Sequence, residues 1–196
     1  MTRSVEFFFD FGSPASYLAF TQLPKIAAEC GAQVVWRPML LGGVFKATGN
    51  SSPVTVPAKG RWMFDDLSRW ARRYGVPLAH NPYFPVNTLL PMRIATGLQM
   101  AQPEDFARCC EAMFGAMWRD PRNLGDPTQL AATLTQAGLD ADAAIALAAQ
   151  AQVKARLITS TEEAVARGVF GAPSFFVGDR MFFGQDRLDF VREALS

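Results

Sequence analysis

Two hydrophobic periodicities divide the chain. Near the start, "SVEFFFDF" is an apolar run of strand length that carries only Glu6 and Asp10 as charges, and "QVVWRPML" from Gln33 is a second. Between them a helix is expected from Pro14 to about Cys30, closed by Gly31, with Ser13 standing in front of it. Pro24 falls inside this helix and removes an amide donor, so a kink or break is expected near Gln22. From Leu41 to Pro57 the text "LGGVFKATGNSSPVTVP" is rich in Gly, Ser and Pro and reads as a long loop, of the length that usually serves function.

Residues 58 to about 168 follow the helical period instead. Met63, Leu67, Trp70, Ala71 and Tyr74 recur at i, i+3, i+4 spacing, and further helices are expected from about Leu89 to Met100 and from Pro103 to Trp118. Asp126 and Asp140 give N-cap signals, and Ser160 with Glu163 has the spacing of a capping box before Gly168 ends that helix. Stripes of aromatic residues and methionine in this region are those of a bundle core.

Strand character returns at the C-terminal end, where "SFFV", the two-residue turn Gly178-Asp179 and "RMFF" spell a hairpin. Asp186 is expected to cap a last amphipathic helix through Leu188, Val191 and Leu195. Joined, the two ends read β-α-β, a long helical block, then β-β-α. The expected architecture is therefore an α/β, thioredoxin-like fold interrupted by a large all-helical insertion. Residues 1–57 and 169–196 would form the discontinuous thioredoxin-like domain, and 58–168 the insertion.

Composition narrows the function classes. With 196 residues, 49% apolar and 19% charged, the chain can bury a full core, and its net charge of +1 offers no footprint for nucleic acid. Small molecules or proteins remain as ligands. The N-terminal run is too short and too charged for a secretion signal or a membrane span, so a cytoplasmic protein without membrane contact is expected. Cys30, Cys109 and Cys110 lack any metal spacing and His80 is the only histidine, so no metal site is expected; Cys109 and Cys110 read as small apolar fillers.

Candidate chemistry gathers where the first strand meets the first helix. Ser13 before Pro14 satisfies every requirement of a structural N-cap. "SPAS", Ser13 to Ser16, also has C-x-x-C spacing with oxygen in place of each sulfur, which excludes disulfide exchange. A hydroxyl there can instead donate to a thiolate brought in by another molecule, at the helix end that favours anions. In a thioredoxin frame Ala172-Pro173 faces this turn, with a cis bond at Pro173 and the Ala172 backbone open to a bound peptide. Glutathione, a thiol tripeptide with two carboxylates and an ammonium group, suits such a slot; Lys59 could serve a carboxylate and Asp186 the ammonium.

The motifs F-D-x-x-S-P-x-S-Y, G-N followed by P-A-K, "NPYFPVNTLLPMR", "GVFGAPSFFV" and "FFGQDRLDFV" together resemble the 2-hydroxychromene-2-carboxylate isomerases, relatives of kappa-class glutathione transferases in the DsbA-like thioredoxin superfamily. This resemblance implies glutathione as cofactor and a homodimer. Ser13 would contact the glutathione sulfur, Asn50 and Lys59 would be further glutathione contacts, and Ala172 beside cis-Pro173 would meet the cysteinyl part. Gln185 and Asp186 would hold the γ-glutamyl end, although relatives often carry Ser or Asn in place of Gln185. It also implies isomerisation of an aromatic-catabolism intermediate by reversible thiolate addition, with Asn87 and Arg93 as candidates to favour the developing enolate. A kappa-type transferase or peroxidase shares the same glutathione site, and a non-catalytic thioredoxin-fold binding module is the reading from a different class.

Overall fold

The computed structural model describes residues 3–196, so Met1 and Thr2 of the segment read for a leader lie outside the described residues. Strand β1 (Ser4–Phe9) leads through a tight turn into helix α1 (Pro14–Glu29), and β2 (Gln33–Pro38) returns parallel to β1. Near the other end, β3 (Ser174–Val177) and β4 (Arg180–Phe183) form the hairpin read from the sequence, and β3 pairs antiparallel with β1. The sheet order is β2-β1-β3-β4, which puts β1 in the middle.

An aromatic row explains why this central strand needs no polar face. Register sets Trp36, Phe7, Phe175 and Phe182 side by side across all four strands. Phe7 lies 5.6 Å from Trp36 and 5.3 Å from Phe175, ring centre to ring centre, within the range that adds to simple burial. Phe7 and Phe9 enter the larger core cluster, which also takes in α1 and most of the helical block. Phe8 points to the other face, into a smaller cluster with Met39, Val44, Ala164 and Phe176.

The helical block comprises α3 (Pro57–Tyr74), α4 (Leu89–Ala101), α5 (Pro103–Trp118), α6 (Pro127–Gln136), α7 (Ala141–Ala149) and α8 (Ala151–Ala166), with α2 (Leu41–Thr48) before it and α9 (Leu188–Leu195) after β4. Asp126 and Asp140 cap α6 and α7 through bonds from Thr128 N–H and Ala143 N–H. Cys109 and Cys110 are buried in the larger cluster among Phe106, Met113 and Phe114.

Four expectations need correction. Helix α1 runs unbroken through Pro24: Leu23, Ile26 and Ala27 are buried in the core, and that packing holds the helix despite the missing amide. The stretch read as one long loop is half helix, and Gly43 of "LGG" lets α2 press onto α8. A Cβ on Gly43 would come within 3.1 Å of the Thr161 methyl group. Ser160 is no cap, since α8 starts at Ala151; Ser160 is buried within the helix, and Glu163 pairs with Arg37 instead. Asp186 does not cap α9 either. It sits inside a short 3-10 turn, Gln185–Arg187, that begins at Gly184 with φ 101°, and α9 starts without a side-chain cap.

Candidate active site at the serine turn

Polar groups from both ends of the chain meet at the N-terminus of α1. Ser13 Oγ accepts a hydrogen bond from Ser16 N–H at 3.1 Å, the N-cap bond, and donates to the carbonyl oxygen of Ala172 at 3.0 Å. Both halves of one hydroxyl are thereby used, one for the helix and one for the strand end. The Ala172-Pro173 peptide is cis. Ser16, the second serine of "SPAS", is fully buried and its hydroxyl has no partner, so only Ser13 faces the cleft.

A cleft of about 500 Å3 opens in front of this pair. It gathers Ser13, Asn50, Lys59, Ala172, Gln185 and Asp186, residues drawn from the β1–α1 turn, the segment after α2, the first turn of α3 and the chain on both sides of the hairpin. Asn50 is tied down at both ends of its side chain: its amide nitrogen donates to the Phe170 carbonyl at 2.8 Å and its oxygen accepts from Ser51 N–H. Lys59 lies near the start of α3 and makes no ion pair among the described residues, while Asp186 pairs with its neighbour Arg187 at 3.5 Å.

Tyr74 braces the far end. Its hydroxyl donates to the Gln185 carbonyl at 2.8 Å, and burial, with the charges of Asp189 and Asp186 nearby, pushes its pKa up to about 12. Gln185 itself is buried and lines the cleft.

Asn87 and Arg93 are not part of this cleft. Asn87 turns its side-chain oxygen back to accept Leu89 N–H at the start of α4, and both residues line a separate cavity beside Leu124 and Leu130. In their place the cleft has an aromatic rim that the sequence did not single out. Trp62 is 64% exposed, and Phe170 and Phe183 lie tilted against one another with ring centres 4.6 Å apart at 39% and 40% exposure. Their signal lay in the sequence as Phe170 in "GVFGAP" and Phe183 in "MFFG", motifs quoted for the prolines and polar groups beside them.

Among the described residues, no group of three or more His, Cys, Asp or Glu side chains is placed to hold a metal ion. No helix there is long and apolar enough to cross a membrane.

A β2-β1-β3-β4 sheet with a helix N-terminus facing a cis-proline defines a thioredoxin-like protein, here with serine where redox members carry cysteine. Residues 4–196 match the DsbA-like thioredoxin domain. A 2-hydroxychromene-2-carboxylate isomerase from Sphingobium xenophagum is 34% identical over 100% of this chain and 99% of its own length. Glutathione S-transferase kappa 1 from Homo sapiens is 29% identical over 100% of this chain and 92% of its own. A solved structure of a 2-hydroxychromene-2-carboxylate isomerase superposes with a TM-score of 0.84 at 30% identity, covering 98% of this chain and 94% of that one. The chain belongs to the 2-hydroxychromene-2-carboxylate isomerase family of enzymes, within the DsbA-like thioredoxin proteins.

Proposed function

We propose that this enzyme is a glutathione-dependent isomerase of 2-hydroxychromene-2-carboxylate or a similar intermediate of aromatic catabolism, working as a cytoplasmic homodimer. The observation that carries the reading is the placement of the Ser13 hydroxyl between the amide end of α1 and the Ala172 carbonyl, at the floor of the cleft. No redox chemistry is available to that hydroxyl, yet it stands where a thiolate is best stabilised.

The residues present fit glutathione by charge and by size. Lys59 complements a carboxylate, Asp186 an ammonium group, and a cleft of about 500 Å3 accommodates a tripeptide with an aromatic partner. When bound, glutathione would supply a thiolate that adds to the conjugated double bond of the ring-opened substrate and leaves again after bond rotation. With the Ser16 N–H still bonded to its oxygen, the Ser13 O–H could donate to a thiolate in place of the Ala172 carbonyl, which would favour the charged sulfur at neutral pH. The Ala172 carbonyl would then be open to a peptide N–H of the bound tripeptide. Asn50, fixed by Phe170 and Ser51, orients the peptide. Trp62, Phe170 and Phe183 give the aromatic acceptor a surface to stack on and shield it from water.

The test is whether glutathione is needed in catalytic amounts. Full conversion of 2-hydroxychromene-2-carboxylate with glutathione far below the substrate concentration, and no loss of glutathione, is expected. Stoichiometric consumption without isomer formation would favour a transferase, the second reading, which the likeness to kappa-class transferases over the whole chain supports.

A further inference from the structure

Asp10 is 1% exposed, the most deeply buried carboxylate beside the cleft, and the roles given above to Ser13 and its neighbours leave it without one. Its Oδ1 accepts Gly12 N–H at 2.8 Å and the Thr88 hydroxyl at 2.7 Å; its Oδ2 accepts Leu41 N–H at 2.8 Å. Its main-chain oxygen accepts Ser13 N–H at 3.0 Å. These donors come from three separate stretches: the serine turn, the first residue of α2, and the segment entering α4. Gly12 and Leu41 both line the cleft, as Ser13 does.

We infer that Asp10 is the positioning residue of the serine turn, a buried carboxylate clamp that fixes the Ser13 hydroxyl relative to α2 and the chain ahead of α4. The turn is pressed onto this clamp, since a Cβ on Gly12 would stand 3.3 Å from Asp10 Oδ1 and 3.3 Å from the Thr88 methyl group. Burial raises the pKa of Asp10 while the three donors favour its charged form, so the carboxylate and its donors depend on one another. Two acceptor oxygens are required because the Gly12 and Leu41 amides can only donate, one to each oxygen. An asparagine of the same shape would set an NH2 group against Leu41 N–H or Gly12 N–H, and one of the two segments would have to move. Displacing a reacting group by about 1 Å is enough to cost on the order of 100-fold in rate.

In its kinetic arm the inference rests on the isomerase reading, and a second arm does not. Asp10→Asn is expected to lower kcat at least about tenfold while the glutathione KM changes less than about threefold, and to change kcat less than about twofold in a Ser13→Ala background. Equal losses in both backgrounds, or a loss confined to KM, would overturn the clamp as a device acting through Ser13. Thr88→Val removes one of the three donors and is expected to give the same pattern at smaller amplitude; it decides the question if Asp10→Asn does not fold. In the second arm, hydrogen exchange of the protein without glutathione is measured by NMR. Faster exchange at both Gly12 and Leu41, with β1 unchanged, is expected for either variant, and a change at neither or only one overturns the clamp. Absence of glutathione-dependent turnover in the unsubstituted protein would remove the isomerase reading and leave this exchange result to stand alone.

Discussion

The hydroxyl of Ser13 lies 3.0 Å from the carbonyl oxygen of Ala172, a residue 159 positions further along the chain. One oxygen thus closes the first turn of α1 and latches the strand end opposite. Substituting Ser13→Ala removes the cap and the latch together. The loss of an N-cap costs about 1 kcal/mol, so thermal stability is expected to fall slightly. Turnover is expected to fall by two orders of magnitude or so, the scale for removing one stabilising donor. Paired thermal melts and initial rates check this; a stability loss with unchanged turnover would reduce Ser13 to a cap.

Gly184 is the hinge on which Asp186 reaches the cleft. Its φ of 101° suits only glycine, and a Cβ there would lie 2.4 Å from Asp186 Oδ1. Gly184→Ala is expected to destabilise the fold by about 1–3 kcal/mol and to weaken glutathione binding more than it slows substrate conversion at saturation. Calorimetric titration beside a denaturant melt separates the two effects.

The cysteines give a test of packing. Burial pushes the Cys109 thiol up to about 12, with the Asp105 charge adding to it, and burial beside Cys109 pushes Cys110 well above its ordinary value. A colorimetric thiol reagent at pH 8 is expected to modify only Cys30 in the folded protein and all three cysteines in denaturant. Rapid modification of a second thiol under native conditions would show that α5 opens more readily than its packing implies.

Tyr74 supplies a pH dependence. Its folded pKa near 12 lies above the ordinary value of 10.0, so between these values the unfolded chain releases the proton more readily than the folded one. The stability that Tyr74 contributes is complete below pH 10 and is lost as pH rises through 12. Tyr74→Phe is expected to lower stability by about 1 kcal/mol at neutral pH through loss of the bond to Gln185, and to flatten the decline above pH 10. Denaturant titrations from pH 8 to 11.5 measure both.

The sheet was legible because its signals are local: "SFFV", a Gly-Asp turn and "RMFF" specify a hairpin within ten residues, and Gly31 marks the end of α1. The cleft residues Ser13, Asn50, Lys59, Ala172, Gln185 and Asp186 could be gathered only through the thioredoxin topology and the family resemblance, since no local pattern links them. What escaped notice depends on distant partners. Asp10 reads in sequence as one charge in an apolar run, and its meaning lies in amides at positions 12 and 41 and a hydroxyl at 88. Helix α2 was hidden because Gly42 and Gly43 weaken any isolated helix, while Gly43 is what permits the close contact with Thr161. Trp62, Phe170 and Phe183 depart from the usual burial of aromatic residues, and only the fold shows that they face the cleft.

The central place of β1 sets the order in which the molecule can be completed. β2 joins it after one helix, whereas β3 arrives only once the whole helical block has been made, and the Ser13–Ala172 latch arrives with it. During synthesis from the N-terminus, β1 therefore waits with one edge unpaired for most of the time the chain is being made. A ribosome-bound fragment ending before Ala172 has neither a covered sheet nor a complete cleft, so the site and protection from aggregation are acquired in the same closing step.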